Sequence, residues 1–228
     1  MNQKEFVLAV KKIYPCVSET FFKQIEVYKS FLQAQNKLFN LTNLASEELI
    51  YEEYFLASII PYQNINFSNG LNVLDIGSGS GIPGILLKLL YPSINLTILE
   101  VNTKKVNFMK KLAEKLNINV SFLFQRAEDI KNHQREQFDL VTSRAVAELR
   151  ILLEISAPYA KVNGLILEPK SIKYKEEITN AKKIINDLVL SPLPIQKFIG
   201  SKSNYLLSYK KLKVTPNKFP RTWKEIIK

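Results

Sequence analysis

Hydrophobic positions in residues 2–61 recur at helical spacing. Phe6, Val10 and Ile13 share one face, and Phe21, Phe22, Ile25, Tyr28, Phe31, Leu32 and Leu38 continue the pattern in a second helix that Ser18 can cap. Ser46, followed by Glu47 and Glu48, predicts the start of a third helix that runs to about Ile60 and stops before Pro61. The aromatic stripes read as packing residues that dock this segment onto the rest of the chain. Between the second and third helices, Lys37 to Leu44 is an apolar run interrupted by Asn40, Thr42 and Asn43, and reads as a helix–helix connection.

From Leu71 the period changes. Leu71–Ile76, Leu96–Glu100, Val120–Phe124, Phe138–Thr142 and Leu165–Leu167 are short β-prone runs, separated by helical patterns at Pro83–Leu90, Thr103–Leu116 and Ala147 to about Tyr159. This βα alternation predicts a parallel sheet. After a charged helix at Lys173–Asn186, the extended runs Ile195–Ile199 and Tyr205–Lys213, joined by Gly200–Asn204, predict an antiparallel hairpin. The expected fold is therefore α/β and Rossmann-like, with a mostly parallel seven-stranded sheet, a C-terminal antiparallel hairpin and an N-terminal helical extension. The polar bridge QNINFSNG, ending at Gly70, separates an extension at 1–66 from a main domain at 67–228. The basic tail Thr215–Lys228 carries the mobility expected of a terminus.

Composition narrows the class. The chain has 228 residues, 46% of them hydrophobic, enough for a sizeable core. It contains no apolar stretch of membrane-spanning length, and MNQKEFVLAVKK is too charged for a signal peptide, so the expected location is cytoplasmic with no membrane partner. A single cysteine, Cys16, and a single histidine, His133, argue against a disulfide or a structural zinc site, and no metal is expected. Of the net charge of +11, +9 falls on residues 151–228. That skew points to a polyanionic partner, with nucleic acid ahead of a membrane surface.

The candidate chemistry centres on VLDIGSGSGIPG, Val73 to Gly84, an apolar strand that ends in an acid and opens through glycines into a helix. Gly77, Gly79, Gly81 and Gly84 allow a sharp turn and close approach of a ligand, and Pro83 suits a helix's first turn. The stretch matches two spellings. Gly79 to Gly84 is a GxGxxG dinucleotide fingerprint, weak by itself, and Asp75 to Gly81 is the D-x-G-x-G-x-G of S-adenosylmethionine-dependent methyltransferases. An acid at Asp75 would neutralise a cationic cofactor but repel a pyrophosphate. Glu100, at the end of the next strand, is placed to accept ribose hydroxyls from either cofactor. The plainer alternative is a tight strand-to-helix turn in which Asp75 only caps the helix.

Further candidates lie at the carboxyl edge of the expected sheet. Ala127 and Glu128, after the third strand, occupy the turn that holds adenine in methyltransferases. Arg144, after the fourth strand, and Lys170, after the fifth, could position cofactor, phosphate or base. The chain has no Asn/Asp-Pro-Pro-aromatic motif at the fourth strand and no cysteine near the expected site. Chemistry on exocyclic amines or on cytosine C5 is accordingly disfavoured. Guanine N7 carries an in-plane lone pair, needs positioning rather than a general base, and fits this set.

With these residues in place, the chain closely resembles the bacterial 16S ribosomal RNA guanine-N7 methyltransferases, historically called glucose-inhibited division protein B. The resemblance is carried by FNLTNL at Phe39–Leu44, DIGSGSGIPG at Asp75–Gly84, and the run from Arg126-Ala127-Glu128 to Ser143-Arg144-Ala145. It implies a monomeric class I methyltransferase that uses S-adenosyl-L-methionine on 16S rRNA or the small ribosomal subunit. It also implies cofactor contacts at Gly77, Ile82, Ala127, Glu128 and Arg144, with Glu100 as the ribose acid and Asp75 and Gly79 completing the loop. Arg126, Lys170 and Arg221 would face RNA. The chain departs from the family pattern at Glu53-Tyr54, at Leu56-Ala57-Ser58, at Ser171 and in the tail FPRTWKEIIK. Two other classes share the motifs: an NAD-dependent oxidoreductase, disfavoured by Asp75 and by the lack of a His or Tyr–Lys proton donor, and a non-catalytic RNA-binding protein.

Overall fold

The βα pattern folds as one sheet, seen in a computed structural model that describes residues 1–39, 46–67, 70–199 and 205–228. The strands are β1 (Asn72–Ile76), β2 (Asn95–Leu99), β3 (Ser121–Leu123), β4 (Phe138–Ser143), β5 (Ala160–Lys170), β6 (Leu190–Pro192), β7 (Gln196–Lys197) and β8 (Tyr205–Lys211). Their order is β3-β2-β1-β4-β5-β8-β6, with β7 also paired to β8. β1 to β5 run parallel, and β8 returns antiparallel between β5 and the β6/β7 edge. Successive strands step outward in one direction from β1 to β3 and in the other from β4 onward. The reversal between β1 and β4 opens a crevice at their carboxyl ends, where open α/β sheets bind ligands.

The expected hairpin forms, but its first arm is divided. Ile195–Ile199 contributes only β7, and β6, which the periodicity did not predict, pairs with the far half of β8. Pro192 and Pro194 interrupt this edge, because proline cannot donate to a ladder. The linker Gly200–Asn204 lies outside the described residues, as do Asn40–Leu44 of FNLTNL and part of the QNINFSNG bridge.

Two helical layers cover the sheet. On one face lie α1 (Gln3–Ile13), α2 (Glu19–Phe39), a composite third helix, α5 (Gly84–Leu90) and α6 (Thr103–Leu116), all sharing one hydrophobic core. On the other lie α7 (Leu149–Ser156), α8 (Tyr174–Asp187) and α9 (Trp223–Ile226) around a second core. Strand alternation assigns residues to these faces: Val73 joins the first core, Leu74 and Ile76 the second. Asp75 therefore points with Val73 toward the N-terminal helices.

Ser18 and Ser46 cap as expected, accepting the N–H of Phe21 and of Leu49 at 3.3 Å. The third helix does not stop before Pro61. It passes from α3 (Glu47–Leu49) through a π-helical stretch (Ile50–Leu56) and α4 (Ala57–Ile59) into a 3-10 turn (Ile60–Tyr62). Pro61 sits at the start of that turn, where no N–H is required of it.

The tail is not the mobile terminus its composition suggests. Phe219 and Ile226 are buried in the second core, and Arg150 donates to the Ile226 carbonyl. Arg221 grips the fully buried Glu154 through Nε at 2.8 Å and Nη2 at 2.6 Å, with its backbone N–H adding a third bond at 3.0 Å. Replacing Arg221 with Ala strands a buried carboxylate. The expected loss is roughly 2 kcal/mol of stability, measured by urea denaturation at neutral pH, and an unchanged midpoint would show that the pair is not what anchors the tail.

Candidate functional site

The glycine turn takes its shape from bonds that converge on Asp75. One carboxylate oxygen, Oδ2, accepts the Ser78 hydroxyl at 2.5 Å and the Gly84 N–H, the first of α5, at 2.8 Å. The other, Oδ1, is buried without a protein partner. Burial pushes the Asp75 carboxyl up to about 6, against the pull of its two hydrogen bonds. A Cβ on Gly84 would fall 2.7 Å from Oδ2, so glycine is what lets the carboxylate reach the helix start.

Tyrosines of the N-terminal helices hold the same turn from below. Tyr28 donates to the Ser80 carbonyl at 2.6 Å, Tyr54 donates to the Ser80 hydroxyl, and Tyr62 shares a 2.7 Å hydrogen bond with Thr142 on β4. All three rings are buried, and burial raises each phenol, Tyr54 to about 12, so the hydroxyls remain protonated donors. Sequence periodicity marked Tyr28 as a packing residue and gave Tyr54 no role. Nothing in spacing distinguishes a tyrosine that fills a core from one that bonds a loop.

Above the turn, a cleft of about 150 Å³ opens at the switch point. It brings together Gly77, Glu100, Arg126, Ala127 and Glu128, with Val146 and Trp223 completing its walls. Gly77 adopts φ +69°, and a Cβ there would lie 2.7 Å from Val146 Cγ2. Ala145, at φ +56°, is the bend that lays Val146 over the glycine. Glu100 accepts the Gly79 N–H at 3.1 Å through Oε2 and the Val101 and Asn102 N–H groups at 2.9 Å through Oε1. Arg126 pairs with Glu128 and lies over the Trp223 ring at 4.9 Å.

Other expected site residues lie outside the cleft walls. Asp75 is beneath the loop, Gly79 is turned toward Glu100, and Ile82 packs against the first core. Arg144 donates to the Ser58 hydroxyl and to the Glu53 carbonyl at 2.9 Å, tying β4 to the third helix. Lys170 is buried, pairs with Glu177 at 2.7 Å and donates to the Ala147 carbonyl at 2.9 Å. Arg221 is engaged by Glu154. Glu168, which sequence reasoning did not single out, is fully buried and accepts the Ser143 hydroxyl at 2.6 Å.

A family model described as "GidB: rRNA small subunit methyltransferase G" matches residues 22–205. The chain belongs to this family. Its relatives include the ribosomal RNA small subunit methyltransferase G of Ureaplasma parvum serovar 3, 43% identical over 100% of this chain and 99% of the relative. The enzyme of the same name from Malacoplasma penetrans is 47% identical over 100% and 98%. A solved Methanococcus maripaludis protein assigned as an S-adenosyl-L-methionine-dependent methyltransferase superposes with a TM-score of 0.56 at 14% identity, covering 81% of this chain and 92% of its own, a likeness of fold. As a member of the methyltransferase G family, the chain is an S-adenosyl-L-methionine-dependent enzyme. The residues present fit that cofactor: Gly79 leaves open space beside the strand-end acid Glu100, which lines the cleft, and Asp75 beneath the turn keeps one buried carboxylate oxygen without a protein partner. Among the described residues, no helix is long and apolar enough to cross a membrane.

Two outcomes follow from this geometry. Gly77→Ala meets both a left-handed backbone and Val146, so stability should fall by about 1–2 kcal/mol and adenosylhomocysteine affinity by more than about tenfold; calorimetry and denaturation read the two effects separately. Burial pushes the Glu168 carboxyl up to about 8 from its ordinary 4.5. Between those values the folded chain holds a proton that the unfolded chain has released, so the contribution of this group to stability is complete below pH 4.5 and declines toward pH 8. Glu168→Gln should remove most of that decline in a series of melts, leaving the smaller one from Asp75 below about pH 6.

Proposed function

We propose that the chain transfers the methyl group of S-adenosyl-L-methionine to N7 of a guanosine in 16S ribosomal RNA, free or within the small ribosomal subunit. It acts as a monomer in the cytoplasm, with 1–66 as an extension and 67–228 as the methyltransferase domain. The observation that carries this reading is the convergence of Gly77, Glu100, Ala127 and Glu128 on one crevice in a chain of the methyltransferase G family.

The bound cofactor supplies an electrophilic methyl group on a sulfonium. Gly77 and Gly79 would give it a backbone cradle, Glu100 would accept from its ribose, and Ala127 and Glu128 would border its base. Ile82 supports the loop from the core side. Asp75 acts from beneath, fixing the turn and adding negative potential under a cationic ligand. Arg144 positions the β4 edge against the third helix.

Guanine N7 has a lone pair in the ring plane and no proton to lose, so alignment supplies most of what the reaction needs. The cleft suits that requirement. Glu100 is bonded to three backbone N–H groups and Arg126 to Glu128, which fixes the positions of these side chains in the cleft wall. Of the basic residues assigned to RNA, Arg126 has a side chain 46% exposed and makes the direct contact. Arg221 contributes at the tail, and Lys170 acts from within by holding the Ala147 carbonyl beside the cleft.

Labelled adenosylmethionine and 30S subunits from a strain lacking the protein test the reaction directly. Digestion to nucleosides should place the label in 7-methylguanosine. Label in any other nucleoside would overturn the assigned acceptor atom.

A further inference from the structure

The wall of the cleft that the glycine motif does not supply comes from the tail. Trp223 is the one aromatic residue among the described residues lining it, and its indole remains 37% exposed. The ring is held in place. Thr222 and Glu225 form a capping box at the start of α9, Ile226 is fully buried, and Arg221 and Arg150 bond α9 and the residues before it to α7. Arg126 lies 4.9 Å from the ring and pairs with Glu128, so that Trp223, Arg126 and Glu128 make one layer above Ala127.

We propose that Trp223 is a cofactor-binding residue whose indole forms the outer wall against the adenine of the cofactor. The inference rests on reading this cleft as the cofactor site. Its physical basis is direct. Adenine is a flat aromatic ring that gains from contact with a rigid aromatic partner, and the rest of the lining is aliphatic, glycine, polar or charged, with no second aromatic side chain among the described residues. The guanidinium on the indole adds a cation–π contact that keeps the ring oriented before the ligand arrives. A tail whose charge suggests RNA binding thereby becomes part of the cofactor pocket.

The protein contains one tryptophan, so its emission reports this position alone. The full chain is titrated with adenosylhomocysteine while emission and calorimetric heat are recorded in parallel. A saturable emission change with the calorimetric midpoint is expected, with affinity reduced about tenfold in Trp223→Leu and kept within about threefold in Trp223→Phe. Calorimetric binding with unchanged emission, and unaltered affinity in both variants, would overturn the proposal and leave the cofactor site standing. No calorimetric binding would remove both. Emission that answers to an rRNA fragment but not to adenosylhomocysteine would assign the indole to RNA and also overturn it. Equal urea midpoints for the unsubstituted chain and Trp223→Leu would show that a loss of affinity in Leu is not a folding effect.

Discussion

A carboxylate buried under a glycine turn sets the geometry of this molecule. Asp75 leaves water to bond Ser78 and the first N–H of α5, and its other oxygen stays uncompensated within the protein. A buried charge is tolerated only when the surrounding structure fixes its partners. Here the fixing comes from far along the chain: Tyr28 and Tyr54 hold Ser80, and Tyr62 holds Thr142 on the adjacent strand. The cofactor turn is thus the meeting point of the sheet and the N-terminal helices, which share one continuous core.

The sheet separates two electrostatic environments. Asp75 lies on the face of the N-terminal helices, while Glu168 lies on the α7/α8 face with Ser143, Lys170 and Glu177 nearby. Burial raises both carboxyls, yet each sits within one strand of the crevice. The Asp75 carboxylate beneath the crevice and Arg126 at its outer wall make an arrangement suited to a cationic cofactor inside and a phosphate backbone outside.

Much of the fold was legible because period and punctuation agree. The switch from helical to βα spacing at Leu71 located the sheet, and serine caps placed two helix starts within a residue. The glycine motif and the acid at Glu100 located the crevice. What was not legible depends on tertiary partners. Lys170 and Arg221 read as free cations because sequence shows no sign of Glu177 or Glu154 folding against them. β6 was too short and proline-bounded to register, and the tail's anchoring rests on two residues, Phe219 and Ile226, scattered in a basic segment. Trp223 lies more than a hundred positions from the glycines it faces, and no local pattern links them.

The π-helical stretch Ile50–Leu56 carries a consequence for how such a chain can vary. A π-helix accommodates one more residue than the α-helix it interrupts. Substitutions on its outer side leave the path of the backbone alone. Removing a single residue there would let the segment rewind as an α-helix and swing Tyr54 by about 100° away from Ser80. The stretch is therefore open to substitution only at its outward residues, Glu52 and Glu53, and closed to drift in length, so that the cofactor turn depends on a residue count kept in a helix that does not line the cleft.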